Sequence, residues 1–350
     1  MTTLAERRSR IDADTLDGLP ERKITWLERV LGPEIYRVLR ALIRNPLSIS
    51  GMVIISLFIL VAIFAPVLAP PTFVEDPYTI PRDGYSPNPK PPMSVWETRQ
   101  PPTAFWLKPL TGSEQWVHLF GTASGQWDIF YGVVWGTRTA FRVGIIITAS
   151  VVTIGLIMGS VSAYYGGWVD LLFMRITDIF WAFPMLLAAL VLSSVLTPVL
   201  GKSMLPPMVA LIAFGWVGYS RLIRGDILSV KERDYVMAAR VIGAKDRRLL
   251  FRHILPNAIF PTLVVASMDL GSYVITFAAL SFLGIGAEIG YSDWGQLLAF
   301  ARDWITQLAD YAYIVIYPGM ALVLFVLAWN LVGDAVRDIF DPHMRGRGGA

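Results

Sequence analysis

The sequence predicts an all-α, polytopic membrane protein with about six transmembrane helices. Three observations lead there: a shortage of charge, a series of long charge-free runs, and basic residues confined to alternate loops. Of 350 residues, 54% are hydrophobic and 16% charged, and the mean hydropathy is +0.53. Soluble domains carry about 25% charged residues, so this chain is built for a lipid solvent. The formal charge of +3 is too small to imply a nucleic-acid partner. With no cysteine, disulfides, thiolate metal sites and a cysteine nucleophile are all excluded. His118, His253 and His343 are scattered and form no HExxH-type ligand spacing.

A helix needs about 20 largely apolar residues to cross the hydrocarbon core. The first candidate is Leu47 to Leu68, with no charge until Glu75. It follows a 46-residue polar leader and is too long for a cleavable signal peptide. The second lies between Arg142 and Asp170, and the third runs from Ile179 to Thr197. The fourth, Leu205 to Ser220, is short and opens with Pro206-Pro207, which a helix start tolerates. The fifth, Ala258 to Leu283, contains the acid Asp269, and the sixth is Tyr311 to Gly333.

Lysine and arginine in short loops are retained on the cytoplasmic side. Arg37, Arg40 and Arg44 precede the first span, and residues 221–252 hold nine basic residues against four acids. The loop before the sixth span is the reverse, with Glu288, Asp293, Asp303 and Asp310 against Arg302. Both termini are therefore expected in the cytoplasm, and the 71–140 and 284–310 loops outside. The expected organisation is a cytoplasmic tail and interfacial helix (1–46), a first span (47–69), an extracytoplasmic segment (70–136), a five-helix domain (137–334) with an inner loop at 225–257, and a cytoplasmic tail (335–350). Thr25 to Arg44 suits an amphipathic surface helix anchored by Trp26 and Tyr36.

The outer segment is rich in proline, with Pro70-Pro71, Pro91-Pro92 and Pro101-Pro102, so it cannot be regular helix. Its aromatics (Phe73, Tyr78, Tyr85, Trp96, Phe105, Trp106) argue against a disordered linker. A folded cap over the outer ends of the spans is the favoured reading, and a docking surface for a soluble partner is the alternative.

The inner loop carries the densest signal. Ser229 and Glu232 form an S-x-x-E capping box that predicts a helix start. Gly243 suits a left-handed helix end. A second helix is expected over Lys245 to His253, with Leu250 and Ile254 on one face and Arg248 and Arg252 on another. Pro256 and Asn257 then turn the chain into the fifth span. Such a helix–glycine–helix suits either anionic lipid or a partner's groove.

At this loop the chain resembles the EAA loop of binding-protein-dependent ABC transporter permeases, whose pattern is E-A-A, three residues, Gly, nine residues, then I-x-L-P. Here it reads Met237-Ala238-Ala239, Gly243, and His253-Ile254-Leu255-Pro256. Further elements resemble the oligopeptide/dipeptide branch, second permease subunit type: Phe120 to Asp128, Tyr164 to Asp170, Asp178 to Pro184, Ala279 to Gly286, Ser292 to Gly295, Tyr317 to Gly319 and Asn330 to Asp338. The chain departs from the branch at Met237, in place of the EAA glutamate, at Phe277, and at Asp269, where a small residue is usual.

The resemblance implies a type I ABC importer permease fold in the cell (inner) membrane. It implies a non-catalytic subunit that forms half of a path for di- or oligopeptides delivered by an extracytoplasmic substrate-binding protein. The implied partners are a second homologous permease subunit, two cytoplasmic ABC ATPase subunits and the lipid bilayer. No cofactor is expected on this chain, ATP and Mg belonging to the ATPases. Alternative cargoes within the resemblance are oligosaccharides or a nickel complex; a secondary transporter is the rival class, disfavoured by the single intramembrane acid. The ATPase-coupling loop so implied comprises Tyr235, Met237, Ala238, Ala239, Gly243, Ala244, Arg248, Phe251, Arg252, His253, Leu255 and Pro256. Asp269, Tyr273 and Phe277 are candidates for the path. Gly201-Lys202-Ser203 has Leu196 where a P-loop needs glycine, and reads as a polar turn. Arg175 with Asp178 is expected to be a structural pair, and Asn330 to bond a neighbouring helix.

Overall fold

The computed structural model describes residues 45–72, 75–98, 106 and 116–340. The expectations for the N-terminal tail, its surface helix, Phe73, Phe105 and His343 lie outside those residues. In chain order the elements are α1 (Pro46–Leu68), β1 (Ser94–Val95), β2 (Val117–His118), α2 (Ile129–Tyr165), α3 (Gly167–Trp181), α4 (Met185–Leu200), α5 (Leu205–Lys231), α6 (Asp234–Val241), α7 (Asp246–Phe282), α8 (Trp294–Ala299), α9 (Leu308–Tyr311) and α10 (Tyr313–Phe340).

Among the described residues, α1, α2, α5, α7 and α10 are each long and apolar enough to cross a membrane. α3 and α4, bent by 85° at their junction, pass the same test only together, and bring the number to six when the bent pair is counted as one span. Pro184 causes the bend: it has no N–H to donate and disfavours a helical Phe183 before it. The protein is thus a multi-pass membrane protein; five predicted spans each have a helix, whereas the third, expected as one run from Ile179 to Thr197, is broken at residues 182–184 between α3 and α4. α2 begins at Ile129, before the expected boundary at 137. α5 corrects the shortest prediction, continuing from Ser220 to Lys231 because Arg221 and Arg224 find acidic partners on α3.

α2 and α5 form the central contact. A Cβ on Gly155 would sit 2.4 Å from the Tyr219 Cβ, and one on Gly159 would sit 2.3 Å from the Ser220 carbonyl oxygen. In lipid, where helix association relies on close packing, only glycine permits that approach. α1 packs on α10 through Gly51, whose Cβ would meet Leu331 at 2.8 Å. Its other side exposes Leu57, Leu60 and Ile63, as a lipid-facing surface should.

One end of the bundle carries the folded cap favoured by the sequence. β1 and β2 pair antiparallel, Ser94 opposite His118 and Val95 opposite Val117, and Trp96 and Trp116 are buried beneath them. The cap is tied to the loop before α8, where the Ile80 amide donates to the Gly290 carbonyl and the Ser292 amide to the Tyr78 carbonyl, each at 2.7 Å. At its centre the buried His118 ring lies 2.6 Å from Asp128 and 3.3 Å from Asp83. Lys90 donates to the same Asp83 carboxylate at 2.5 Å, and the Thr98 amide at 2.7 Å. Burial alone would raise the Asp83 carboxyl, but Lys90 and the Glu97 and Thr98 amides outweigh it and hold the group well below the usual carboxylate range.

Candidate functional site

The opposite, basic end is organised around α6. Val236 and Ala239 point into the bundle and pack with Ile223 and Ile227 of α5 and with Leu249, Leu250 and Ile254 of α7. The expected capping box does not start this helix. Ser229 lies inside α5, Glu232 caps the end of α5, and Arg233 is the N-cap of α6. Span packing carried α5 past the local signal. α6 then ends as predicted: Gly243 has φ +84°, its amide donates to Arg240 at 3.0 Å, and the Ala244 amide reaches Ala239 at 3.1 Å.

The entry to α7 corrects a second expectation. The chain does not turn at Pro256; it is helical from Asp246 to Phe282. A π segment over Leu249–Ile254 makes this possible, with the Leu255 amide donating to the Leu250 carbonyl. The wider register accommodates the missing N–H and ring of Pro256. The Asn257 side chain donates to the His253 carbonyl at 2.7 Å. Leu249, Leu250 and Ile254 are buried while Arg248 and Arg252 are exposed, as the helical faces predicted.

What α6 leaves uncovered is apolar. Val241 and Ile242 are each 86% exposed, Phe251 is 61%, and Met237 and Tyr235 are about half exposed. Single exposed apolar residues are ordinary, but five on one short excursion form a patch. The patch is held firmly. Tyr164 Oη donates to Asp246 Oδ1 at 2.6 Å, and Lys231 donates to the Tyr164 carbonyl at 2.7 Å, at the C-terminal end of α2. Arg224 forms a bidentate pair with Asp170, both bonds at 2.6 Å.

A second feature lies deeper. A cavity of about 470 Å³ opens between the α3–α4 bend, α5 and α7. Phe180, Trp181, Phe183, Phe214, Tyr219 and Tyr273 supply its aromatic walls, and Asp269 is its one acidic residue. Tyr219 donates to Asp269 Oδ2 at 2.7 Å, and Tyr273 donates to the Gly215 carbonyl at 3.3 Å.

Two family profiles match the chain. That of the binding-protein-dependent transport system inner membrane component covers residues 151–346, and that of the N-terminal TM domain of oligopeptide transport permease C covers residues 35–92. The chain belongs to the binding-protein-dependent transport system inner membrane component family. Among curated relatives of this permease, the dipeptide transport system permease protein DppC of Alkalihalophilus pseudofirmus is 36% identical over 86% of this chain and 88% of its own length. The oligopeptide transport system permease protein OppC of Bacillus subtilis is 33% identical over 86% of this chain and 87% of its own. The glutathione transport system permease protein GsiD of Pectobacterium atrosepticum is 38% identical over 65% of this chain and 73% of its own. A looser structural likeness, with a TM-score of 0.37 and 18% identity over 59% of this chain and 93% of the other, is to the crystal structure of an amino acid ABC transporter.

In the permease, the EAA-type positions divide by face. Ala239 is buried and anchors α6; Tyr235, Met237 and Ala238 are exposed, as are Arg248, Phe251, Arg252 and Pro256. Ala244, His253 and Leu255 are half-buried. Val241 and Ile242, the most exposed apolar pair, were not among the residues predicted; the signal available was an apolar pair directly before the helix-ending glycine. Asp269 and Tyr273 share the cavity wall, whereas Phe277 is 2% exposed within the core and does not line it. Asn330 bonds its own helix, donating to Val326 at 3.0 Å rather than across to a neighbour. Asp178 takes Arg221 at 2.6 Å, with the expected partner Arg175 at 3.9 Å.

Proposed function

We propose that this chain is the permease subunit of an ATP-binding-cassette importer, forming half of a path for di- or oligopeptides. On this reading the basic end is cytoplasmic and two ATPase subunits dock on the α6 patch. A second, homologous permease subunit completes the path. A soluble binding protein delivers cargo at the cap end of a cell-membrane complex, and ATP and Mg are held by the ATPases alone. The peptide cargo is supported by the names of the relatives.

One observation carries the coupling assignment: α6 is anchored by Val236 and Ala239 to both α5 and α7, while it presents Met237, Val241 and Ile242 outward. A push on the outer face is therefore transmitted to the two helices that carry Tyr219 and Asp269. Asp269 lies 15 residues beyond Ile254, about 22 Å along α7 at 1.5 Å per residue. The helices act as levers between the docking surface and the cavity, in an alternating-access cycle.

The test replaces Val241 and Ile242 together by serine. The variant should insert normally and lose ATPase co-purification; retained association would count against this docking surface. Orientation is read separately with an impermeant maleimide, aided by the cysteine-free sequence. Single cysteines at the exposed Ser86 and Lys202 should label in intact cells, and one at the exposed Ser229 should not. Labelling at Ser229 would reverse the assignment.

A further inference from the structure

The cavity between the α3–α4 bend, α5 and α7 combines features that a merely apolar packing defect lacks. Its lining includes a carboxylate, Asp269, and no lysine, arginine or histidine. One oxygen of that carboxylate is oriented by the Tyr219 hydroxyl at 2.7 Å. The other, Oδ1, has no protein hydrogen-bond donor among the described residues and is not sealed from the surface. A carboxylate at membrane depth is costly unless it meets a partner.

The walls have matching chemistry. Six aromatic rings line the space, and an aromatic face attracts a cation through its quadrupole. One of them already does so: the Arg221 guanidinium sits 4.6 Å from the Trp181 ring centroid. That arginine is neutralised by Asp178 at 2.6 Å and does not line the cavity, so it leaves Asp269 uncompensated. The rings also come from separate elements, Phe180 and Trp181 before the bend, Phe183 within it, and Phe214 on α5. A shift of the bend relative to α5 would open or close the cage around its occupant.

We propose that this cavity recognises an organic ammonium group on the transported molecule, Asp269 pairing with the charge and the aromatic rings enclosing its alkyl surround. On the permease reading, on which this inference rests for its biological sense, the group is the free amino terminus of a peptide. A site of about 470 Å³ holds such a terminus and its first side chain, and leaves the remainder of the cargo to the partner permease. A bare metal ion is disfavoured, since a single carboxylate supplies too few ligands.

The test uses a single cysteine at Val265, which lines the cavity in a chain that has no cysteine of its own. The transporter is purified with its partner subunits in lipid nanodiscs and labelled with trimethylammonium-ethyl or sulfonato-ethyl methanethiosulfonate. Each rate is normalised to that with 2-mercaptoethanol, and modification is read on this chain by mass. The cationic reagent should be favoured roughly tenfold, as expected for an attractive charge at short range. Asp269→Asn should bring the ratio near one, and Asp269→Glu should preserve it. Trialanine should protect the cysteine and N-acetyl-trialanine should not. Equal normalised rates, or a preference unchanged in Asp269→Asn, would overturn the site. Protection by both peptides alike would remove the ammonium from the recognition. Failure to co-purify speaks instead against the permease reading, so the two failures are told apart.

Discussion

The hydroxyl of Tyr164, near the end of α2, donates a 2.6 Å hydrogen bond to Asp246, the first residue of α7. It joins the span packed centrally against α5 to the segment through which the basic-end loop re-enters the bundle. Tyr164→Phe removes only this bond. A net loss of about 1 kcal/mol is expected, local to residues 244–254 and visible as faster amide exchange there. Assembly should persist while substrate-stimulated hydrolysis falls severalfold. Unchanged exchange would show that the Leu249–Ile254 packing positions the loop without help.

Gly243 offers a sharper separation of strain from sterics. Its φ is +84°, yet a Cβ there would meet nothing within 4 Å. Any cost of substitution is therefore backbone strain, about 1 kcal/mol or more for a β-branched residue. Gly243→Val should tilt the end of α6 and weaken ATPase association or uncouple hydrolysis. Gly243→Asn, which tolerates the left-handed region, should be mild. Equal behaviour of the two in co-purification and stimulated hydrolysis would argue against a conformational role.

Asp293 N-caps α8, accepting from the Gly295 and Gln296 amides at 3.3 and 3.2 Å. Burial pushes its carboxyl up to about 6 from 3.8, more than these bonds can lower it. A raised folded pKa contributes stability that is present below the unfolded value and lost as pH rises through the folded one. The cap end should therefore weaken between about pH 4 and pH 6. Asp293→Asn keeps the capping oxygen without the charge. Thermal melting of the variant should lose this pH dependence and match or exceed the parent at pH 7. A parent curve flat across that window would refute the charge-burial argument.

The cap cluster has the opposite sign. The Asp83 carboxyl is depressed, so its contribution is present above the ordinary carboxylate range and is lost only in stronger acid. Near-UV circular dichroism from the buried Trp96 and Trp116 should hold from neutral pH down to about 4 and fall below it. His118→Ala leaves buried Asp83 and Asp128 facing each other without the ring between them. That should cost about 3 kcal/mol and loosen the cap while the spans remain. Loss of the near-UV signal with intact helicity is the expected result; an unaltered spectrum would show that Lys90 alone sustains the cluster.

Much of this was readable in one dimension. Span positions follow from the solvent: lipid forbids unpaired backbone and disfavours bare charge, so each crossing is written locally as a long run with at most one charge. Gly243 was equally legible, because a left-handed helix end is a demand on one residue. The folded cap was legible as aromatic residues among prolines, although its His118–Asp83–Asp128 cluster was not, since those residues run from position 83 to position 128.

Where the tertiary structure decided, neighbours outweighed local signals. Ser229 and Glu232 spell a helix start, yet α5 runs through Ser229 because Asp170 and Asp178 receive its arginines and Ile223 and Ile227 are buried against α6 and α7. Pro256 spells a turn, yet a π segment lets the helix continue, because Leu249, Leu250 and Ile254 gain burial by staying in it. Asp269 was conspicuous from the outset as a charge within a span. Only the packing of α5 and the α3–α4 bend against α7 assigned it a tyrosine partner and an aromatic cavity. Local preferences amount to about 1 kcal/mol apiece, whereas burial of a large side chain contributes more, and which side chains are buried depends on contacts that only the folded chain creates.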